Sequence, residues 1–370
     1  MKLFDAIRLR GLWLANCIVV SPMCQYSAID GCATDWHLVH WAQMMMSGAS
    51  MFTIEATAVT AEGRISPADL GLYDDACEDA IARTLARARA QCPPIAVAIQ
   101  LAHAGRKASS RPPWDGGTLI LPDDGGWTPV APSAISHGEH EPAPIALDEG
   151  GLAGVRDAFV ASARRAARIG IDAIELHMAH GYLMHEFLSP IANHRSDGYG
   201  GGFEARIRFP LDVFDAVRAA WPDDRPLGVR LSCTDWIEGG WDLDQSVEFS
   251  RRLVARGVDW IDASSGGISP KQQIPAGPGY QVAFAGEIRR ASAATTIAVG
   301  LISSAEQAAS IIAAGDADMI AMGRAFLWDP HWGWHAAATL GASIVPPRQY
   351  TRAAPRGMAD VFAGAKIGQR

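Results

Sequence analysis

The sequence predicts an α/β protein: a single-domain (β/α)8 TIM barrel with one long loop insertion. Three observations carry that prediction. Short apolar, β-branched runs alternate with longer amphipathic ones along the chain. Such alternation builds a parallel sheet covered by helices. Eight strand–helix units can be counted, the number that closes a barrel. The alternative is an open doubly wound sheet, which for nucleotide binding calls for G-x-G-x-x-G after the first strand. The first strand here runs instead into Ser21-Pro-Met-Cys24-Gln-Tyr26.

In chain order, the expected strands are Cys17–Met23, Met51–Val59, Ile95–Leu101, Ile171–Leu176, Leu227–Leu231, Trp260–Ser264, Thr296–Gly300 and Met319–Met322. Helical periodicity falls between them on Asp75–Arg89, Leu152–Ile169, Glu204–Ala219, Asp244–Ala255 and Ser304–Ala314. Ser304 reads as an N-cap, with Gln307 completing a capping box. Gly170, Gly257 and Gly315 each stand between a helix and a strand, as C′ glycines do. Residues Arg111–Gly150 are rich in Pro, Gly, Asp and Trp and show no sustained period. A loop that long inside a compact domain is usually functional, a lid or a rim. No composition shift marks a second domain. Residues 1–345 read as the barrel, with 111–150 inserted, and 346–370 as a C-terminal segment.

The chain has 370 residues and a net charge of −8. That length fills a full core. The acidic balance, without clustered Lys and Arg, speaks against a nucleic-acid surface. The start, Met1-Lys-Leu-Phe-Asp-Ala-Ile-Arg, lacks a long apolar core, so no signal peptide is expected. No uncharged apolar stretch approaches the length of a membrane span. None of the six cysteines forms a C-x-x-C pair, which leaves zinc ribbons and iron–sulfur ligation without support. Scattered cysteines in a chain this long fit a reduced, cytoplasmic protein.

The chemistry-bearing residues fall at strand ends, where barrel active sites lie. His177-Met-Ala-His180-Gly-Tyr182 leaves the fourth strand with two imidazoles and a phenol. Such a pair can donate two hydrogen bonds to one substrate oxygen, and the phenol can supply a proton. The same pair also invites a metal, but no third ligand is evident and H-E-x-x-H is absent, so no metal is expected. The first strand supplies Ser21, Pro22, Met23, Cys24 and Tyr26, and the second supplies Ala58. Gly300 and Gly323-Arg324 follow strands seven and eight, the usual phosphate corner of such barrels. Gln100 at the third strand end can read an imide edge, or can be a core polar residue. Arg230 lies in a buried strand and needs an anionic partner, whether a ligand or a structural carboxylate. Cys24 is either a small core hydrophobe or a thiol against a cofactor. An uncommitted carboxylate pair and G-x-S-x-G are both missing, which disfavours glycosidase and triad-hydrolase chemistry.

Several motifs in one order resemble the Old Yellow Enzyme family of FMN-dependent ene-reductases, in its thermophilic-like, xenobiotic reductase branch. They are Ser21-Pro-Met-Cys24-Gln-Tyr26, Asp35-Trp-His-Leu-Val-His40, Glu55-Ala-Thr-Ala58-Val, Gln100-Leu-Ala-His-Ala-Gly-Arg106-Lys, His177-Met-Ala-His180-Gly-Tyr182-Leu, Asn193-His-Arg195-Ser-Asp197-Gly-Tyr199-Gly-Gly and Met322-Gly-Arg324. The resemblance implies non-covalent FMN, with Ser21 to Cys24 along the ring and Cys24 near its reactive edge. It implies that Ala58 and Gln100 contact the ring, that Arg230 stands near N1, and that Gly300, Gly323 and Arg324 bind the phosphate. His177 and His180 would hold a substrate carbonyl, Tyr182 would be the proton donor and Tyr26 would line the substrate side. The implied reaction has two halves: NADPH or NADH reduces FMN, then an α,β-unsaturated carbonyl takes hydride at its β-carbon and a proton at its α-carbon. Departures are Leu301, where some xenobiotic reductases place tryptophan, and His194, where a basic residue is typical. Tyr350-Thr-Arg352 resembles a segment that reaches the neighbouring subunit's site, which implies a homodimer or dimer of dimers in which Arg352 touches substrate. The same groups also suit a flavin-binding isomerase without net redox. A flavin-storage protein would leave the converging imidazoles and phenol unexplained.

Overall fold

A computed structural model of the chain describes residues 1–364. Eight parallel strands close into a barrel in chain order: β1 (Ile18–Val20), β2 (Met51–Ala58), β3 (Ala96–Ala102), β4 (Ala173–Met178), β5 (Leu227–Ser232), β6 (Trp260–Ser264), β7 (Thr296–Ala298) and β8 (Met319–Met322). Strand β8 pairs with β1 through Ile320 and Ile18, so no edge remains. A short antiparallel hairpin, Ile7–Leu9 with Leu12–Leu14, precedes β1.

The helices are α1 (Asp35–Met45), α2 (Asp75–Arg89), α3 (Glu149–Arg168), α4 (Leu183–Leu188), α5 (Phe203–Arg206), α6 (Arg208–Ala220), α7 (Leu243–Val254), α8 (Val282–Ser292), α9 (Ala305–Ala314), α10 (Arg324–Trp328) and α11 (Trp332–Leu340). Both faces of the central strands are buried, as expected between helices and a filled lumen. Side chains on a strand alternate faces. On β4, Ile174, Leu176 and Met178 pack outward, while Glu175 meets Gln100 of β3 and Trp260 of β6 across the interior.

Departures from the expected bounds have local causes. The first strand stops at Val20, because Pro22 has no N–H to continue the ladder. The seventh stops at Ala298, and Gly300 turns away with φ +125°. The fourth starts at Ala173 and runs to Met178, which puts His177 inside the strand and not beyond it. The insertion ends at Asp148, not Gly150: the Asp148 carboxylate accepts the Gly151 N–H at 2.7 Å and starts α3 there. Two glycines in that first turn hide the helix in the sequence. The expected helix over 204–219 breaks at Ile207 into α5 and α6. The eight-unit count calls for helices after the first and sixth strands without fixing their spans; they are α1 and α8, and on α1 the exposed Trp36 and Val39 blur the apolar stripe.

Ser304 caps α9, accepting the Gln307 N–H at 3.1 Å. The return bond of the expected capping box goes elsewhere: the Gln307 side-chain Oε1 accepts the Ser303 N–H, at 3.4 Å. Gly170, Gly257 and Gly315 all take left-handed backbone past their helices.

Within the insertion, Val130–Ala131 pairs with Ile145–Ala146, and the Arg195 guanidinium donates to the carbonyls of Pro132 and Leu147. Near the C-terminus, Val361 and Phe362 pack against Trp334, Ala337 and Ile344 in a small second apolar cluster. The last six residues of the expected segment 346–370 lie outside the described residues. No helix among the described residues is long and apolar enough to cross a membrane.

Candidate active site

The C-terminal ends of the strands surround a cavity of about 800 Å³. Ser21, Pro22, Met23, His180, Arg230, Gly300, Gly323 and Arg324 line it, with Leu301 at its edge. That volume suits a cofactor-sized ligand. Ala58 ends β2 beside the mouth and is buried. Gln100 lies deeper, its amide nitrogen donating to Glu175 Oε1 at 2.8 Å. Cys24 and Tyr26 follow the wall residues in sequence. The Tyr26 ring meets Trp114 of the insertion edge-on, centroids 5.3 Å apart, so the insertion does reach the rim. Arg352 sits exposed on a 3-10 stretch, Arg348–Ala353, and is not among the cavity walls.

The loop after β4 is held in an unusual backbone. His180 has φ +60° and Gly181 +73°. A Cβ on Gly181 would collide with the Gly267 carbonyl, so only glycine allows the β4 and β6 loops to meet here. The His180 N–H donates to Ser232 Oγ at 2.9 Å, and Lys107 Nζ donates to the His180 and Gly267 carbonyls at 2.8 and 3.1 Å.

These restraints bring the expected side chains together. His177 Nδ1 accepts the Ala179 N–H at 3.3 Å, which leaves the proton on Nε2. His177 Nε2 and His180 Nδ1 are 3.3 Å apart, and His180 Nε2 lies 2.7 Å from Ser264 Oγ. The Tyr182 ring stands edge-on to His177 at 4.9 Å. Burial, and after it the Arg230 charge, holds both imidazoles well below their usual range, so they are neutral donors. Burial, then Cys24, pushes the Tyr182 phenol well up, and it keeps its proton. Burial, with Asp69 and Glu55 nearby, also raises the Cys24 thiol.

The sequence named Arg230 but not its partner. Asp262 Oδ2 of β6 lies 3.4 Å from Arg230 Nε, and both are buried. Glu175 adds a second carboxylate, tied to Gln100 and to the Trp260 indole N–H. Burial and the Asp262 charge raise it. One signal was legible: a glutamate amid apolar neighbours in a buried strand must have donors waiting. Lys107 was missed as well. It is half-buried, its ammonium 5.0 Å from the centre of the Tyr182 ring, and desolvation lowers that ammonium to about 8. Nothing in Arg106-Lys107 distinguishes it from a surface pair.

The cavity suits a flavin on its own evidence. Ser21 Oγ is buried at its wall without a hydrogen-bond partner, and so is Arg230 Nε apart from its ion pair. Such groups await a polar ring edge. Gly300 and Gly323 present backbone beside Arg324, as a phosphate cradle does. Among the described residues, no cluster of three or more metal-type ligands forms.

Comparison with known proteins agrees. A model described as the NADH:flavin oxidoreductase / NADH oxidase family matches residues 2–341. An NADPH dehydrogenase of Listeria innocua is 42% identical over 354 residues, covering 95% of this chain and 99% of that one. The solved structure of morphinone reductase overlays with a TM-score of 0.75 at 26% identity, covering 99% of this chain and 94% of that one. An old yellow enzyme homologue from Zymomonas mobilis gives 0.73 at 25%, covering 94% of each. Barrel and site together define an NAD(P)H-dependent flavin oxidoreductase. The chain belongs to the NADH:flavin oxidoreductase / NADH oxidase family, and within it to the Old Yellow Enzymes.

Proposed function

We propose that this enzyme reduces the C=C bond of α,β-unsaturated carbonyl compounds, with non-covalent FMN as carrier and NADPH or NADH as donor. The observation that carries the reading is the convergence of two neutral imidazoles and a protonated phenol at the end of β4 and in the loop that follows it, beside a cavity that a buried arginine also lines. Bound FMN would supply the two-electron chemistry that no side chain here supplies. Ser21, Pro22, Met23 and Arg230 would hold its ring, Gln100 its imide edge, and Gly300, Gly323 and Arg324 its phosphate. Cys24 would tune the ring, with Ala58 packed beside it.

The substrate oxygen enters between the histidines. A Ser264 hydroxyl donating to His180 Nε2 leaves the His180 proton on Nδ1. A carbonyl oxygen entering there would take the place of the 3.3 Å contact between His177 Nε2 and His180 Nδ1 and accept from both N–H groups, which stabilise the negative charge developing on it. Tyr182 gives its proton to the α-carbon, and Lys107 keeps that phenol's loop in place. Tyr26 lines the substrate side, with Trp114 over it.

In the same reading the protein is a cytoplasmic homodimer or dimer of dimers. Its barrel spans 1–345, and Arg352 of the C-terminal segment reaches the partner's substrate. The test is anaerobic. NADPH should bleach the enzyme's yellow chromophore, extractable as FMN, and cyclohexenone should restore the colour. Bleaching without reoxidation by any enone would exclude the reductase and favour a flavin isomerase.

A further inference from the structure

Behind the β4 loop lies an imidazole–carboxylate pair that this mechanism leaves unused. His185 of α4 and Asp235 after β5 are both fully buried. His185 Nε2 lies 2.8 Å from Asp235 Oδ1. The contact is off-line for a well-aligned hydrogen bond, yet neither atom has another partner. The second ring nitrogen, Nδ1, accepts the Gly181 N–H at 2.9 Å. Asp235 is itself fixed, because Oδ2 accepts the Ser189 hydroxyl at 2.6 Å and the Trp241 N–H at 2.7 Å.

Gly181 is the hinge between His180 and Tyr182. Left-handed backbone is disfavoured at a residue with a side chain, as His180 has, and it persists only where the surroundings over-determine it. Ser232 and Lys107 restrain His180 from one side. The His185 ring is the restraint on the next peptide. It accepts there only if Nδ1 is bare, and a carboxylate facing Nε2 keeps the proton on that other nitrogen. The neighbours of Asp235 oxygens are all donors, so a neutral amide cannot replace the carboxylate without turning an N–H toward one of them.

We propose that His185, oriented by Asp235, is a positioning residue that sets the geometry of the oxygen-binding imidazole and the proton-donating phenol. The proposal rests on the enone-reductase reading above. It assigns to a buried pair outside the cavity the control of how tightly a carbonyl or phenolate oxygen is gripped.

The FMN-loaded enzyme provides the test, read by titration with 4-hydroxybenzaldehyde through its long-wavelength charge-transfer band, and by reoxidation with cyclohexenone. His185→Asn puts an amide oxygen where Nδ1 stands and keeps the acceptor for Gly181. His185→Gln reaches toward Asp235 but leaves the Gly181 N–H without its acceptor. Melting temperature and flavin content report whether each is folded. The Asn variant should stay near wild type in aldehyde affinity and enone reoxidation. The Gln variant should lose at least about tenfold in both, while reduction by NADPH is unchanged. Asp235→Asn should follow the Gln variant, and it decides the matter if that variant does not fold. Equal behaviour of the Asn and Gln variants in an active enzyme would overturn the positioning role alone. A wild type that neither binds the aldehyde nor reoxidises with enone would remove the reductase reading with it.

Discussion

The two sides of the barrel mouth are built on opposite plans. The β4 side, Ala179 to Tyr182, is restrained from every direction by Ser232, Lys107, His185 and the Gly267 backbone. The β7–β8 side offers bare backbone at Gly300 and Gly323 and an exposed Arg324. The difference follows from who completes each site. A group that must meet a reacting atom within fractions of an ångström has to be fixed before the ligand arrives. A phosphate brings its own charge and orders its cradle by binding, so free N–H groups and an exposed guanidinium are enough.

That contrast can be broken experimentally. The largest effect is expected at the restrained side. Tyr182→Phe should slow enone reoxidation by about 10²–10⁴-fold and leave reduction by NADPH nearly unchanged, as stopped-flow traces of each half-reaction would show; equal slowing of both would end the proton-donor role. On the open side, Arg324→Ala should weaken FMN binding by about 10–100-fold through loss of one charge-assisted contact. Flavin release on dilution measures it, with the melting temperature of the flavin-free protein unmoved. His177→Ala should weaken phenol binding by about tenfold, one neutral hydrogen bond's worth; unaltered charge-transfer titrations would mean that this ring does not face the ligand.

The smallest effect probes the restraints themselves. Glu186 is buried behind Lys107, accepts the Arg106 N–H at 2.8 Å, and burial raises its carboxyl to about 8. Its folded pKa exceeds the unfolded one, so its contribution is fully present at acid pH and is lost as pH rises toward 8. Glu186→Gln should therefore gain on wild type steadily between pH 5 and pH 8 in denaturant melts. A constant gap would show that the carboxyl is ionised throughout.

Much of this architecture was readable in advance, and the reasons are local. Helix α2 falls on Asp75–Arg89, as its periodicity predicts, and β6 and β8 fall on their apolar runs. The mouth residues were legible because strand ends are marked by glycine, proline and a sudden polar residue. The start of α3 was not, since Asp148 caps a turn carrying two glycines. The span of helix α1 was hidden by the exposed Trp36 and Val39. In the site, Arg230 announced that it needed an anion, but nothing nearby in sequence pointed to Asp262.

By itself, then, the chain determined an eight-stranded barrel and which side chains stand at its mouth, because both follow from period and punctuation within short windows. Only the closed structure decided their partners: Asp262 for Arg230, Glu175 for Gln100, Lys107 for the His180 carbonyl, and Asp235 behind His185. Each of these pairs joins segments dozens of residues apart. Strand register and ring closure bring them together, and desolvation inside the closed barrel then requires every polar group to find a complement.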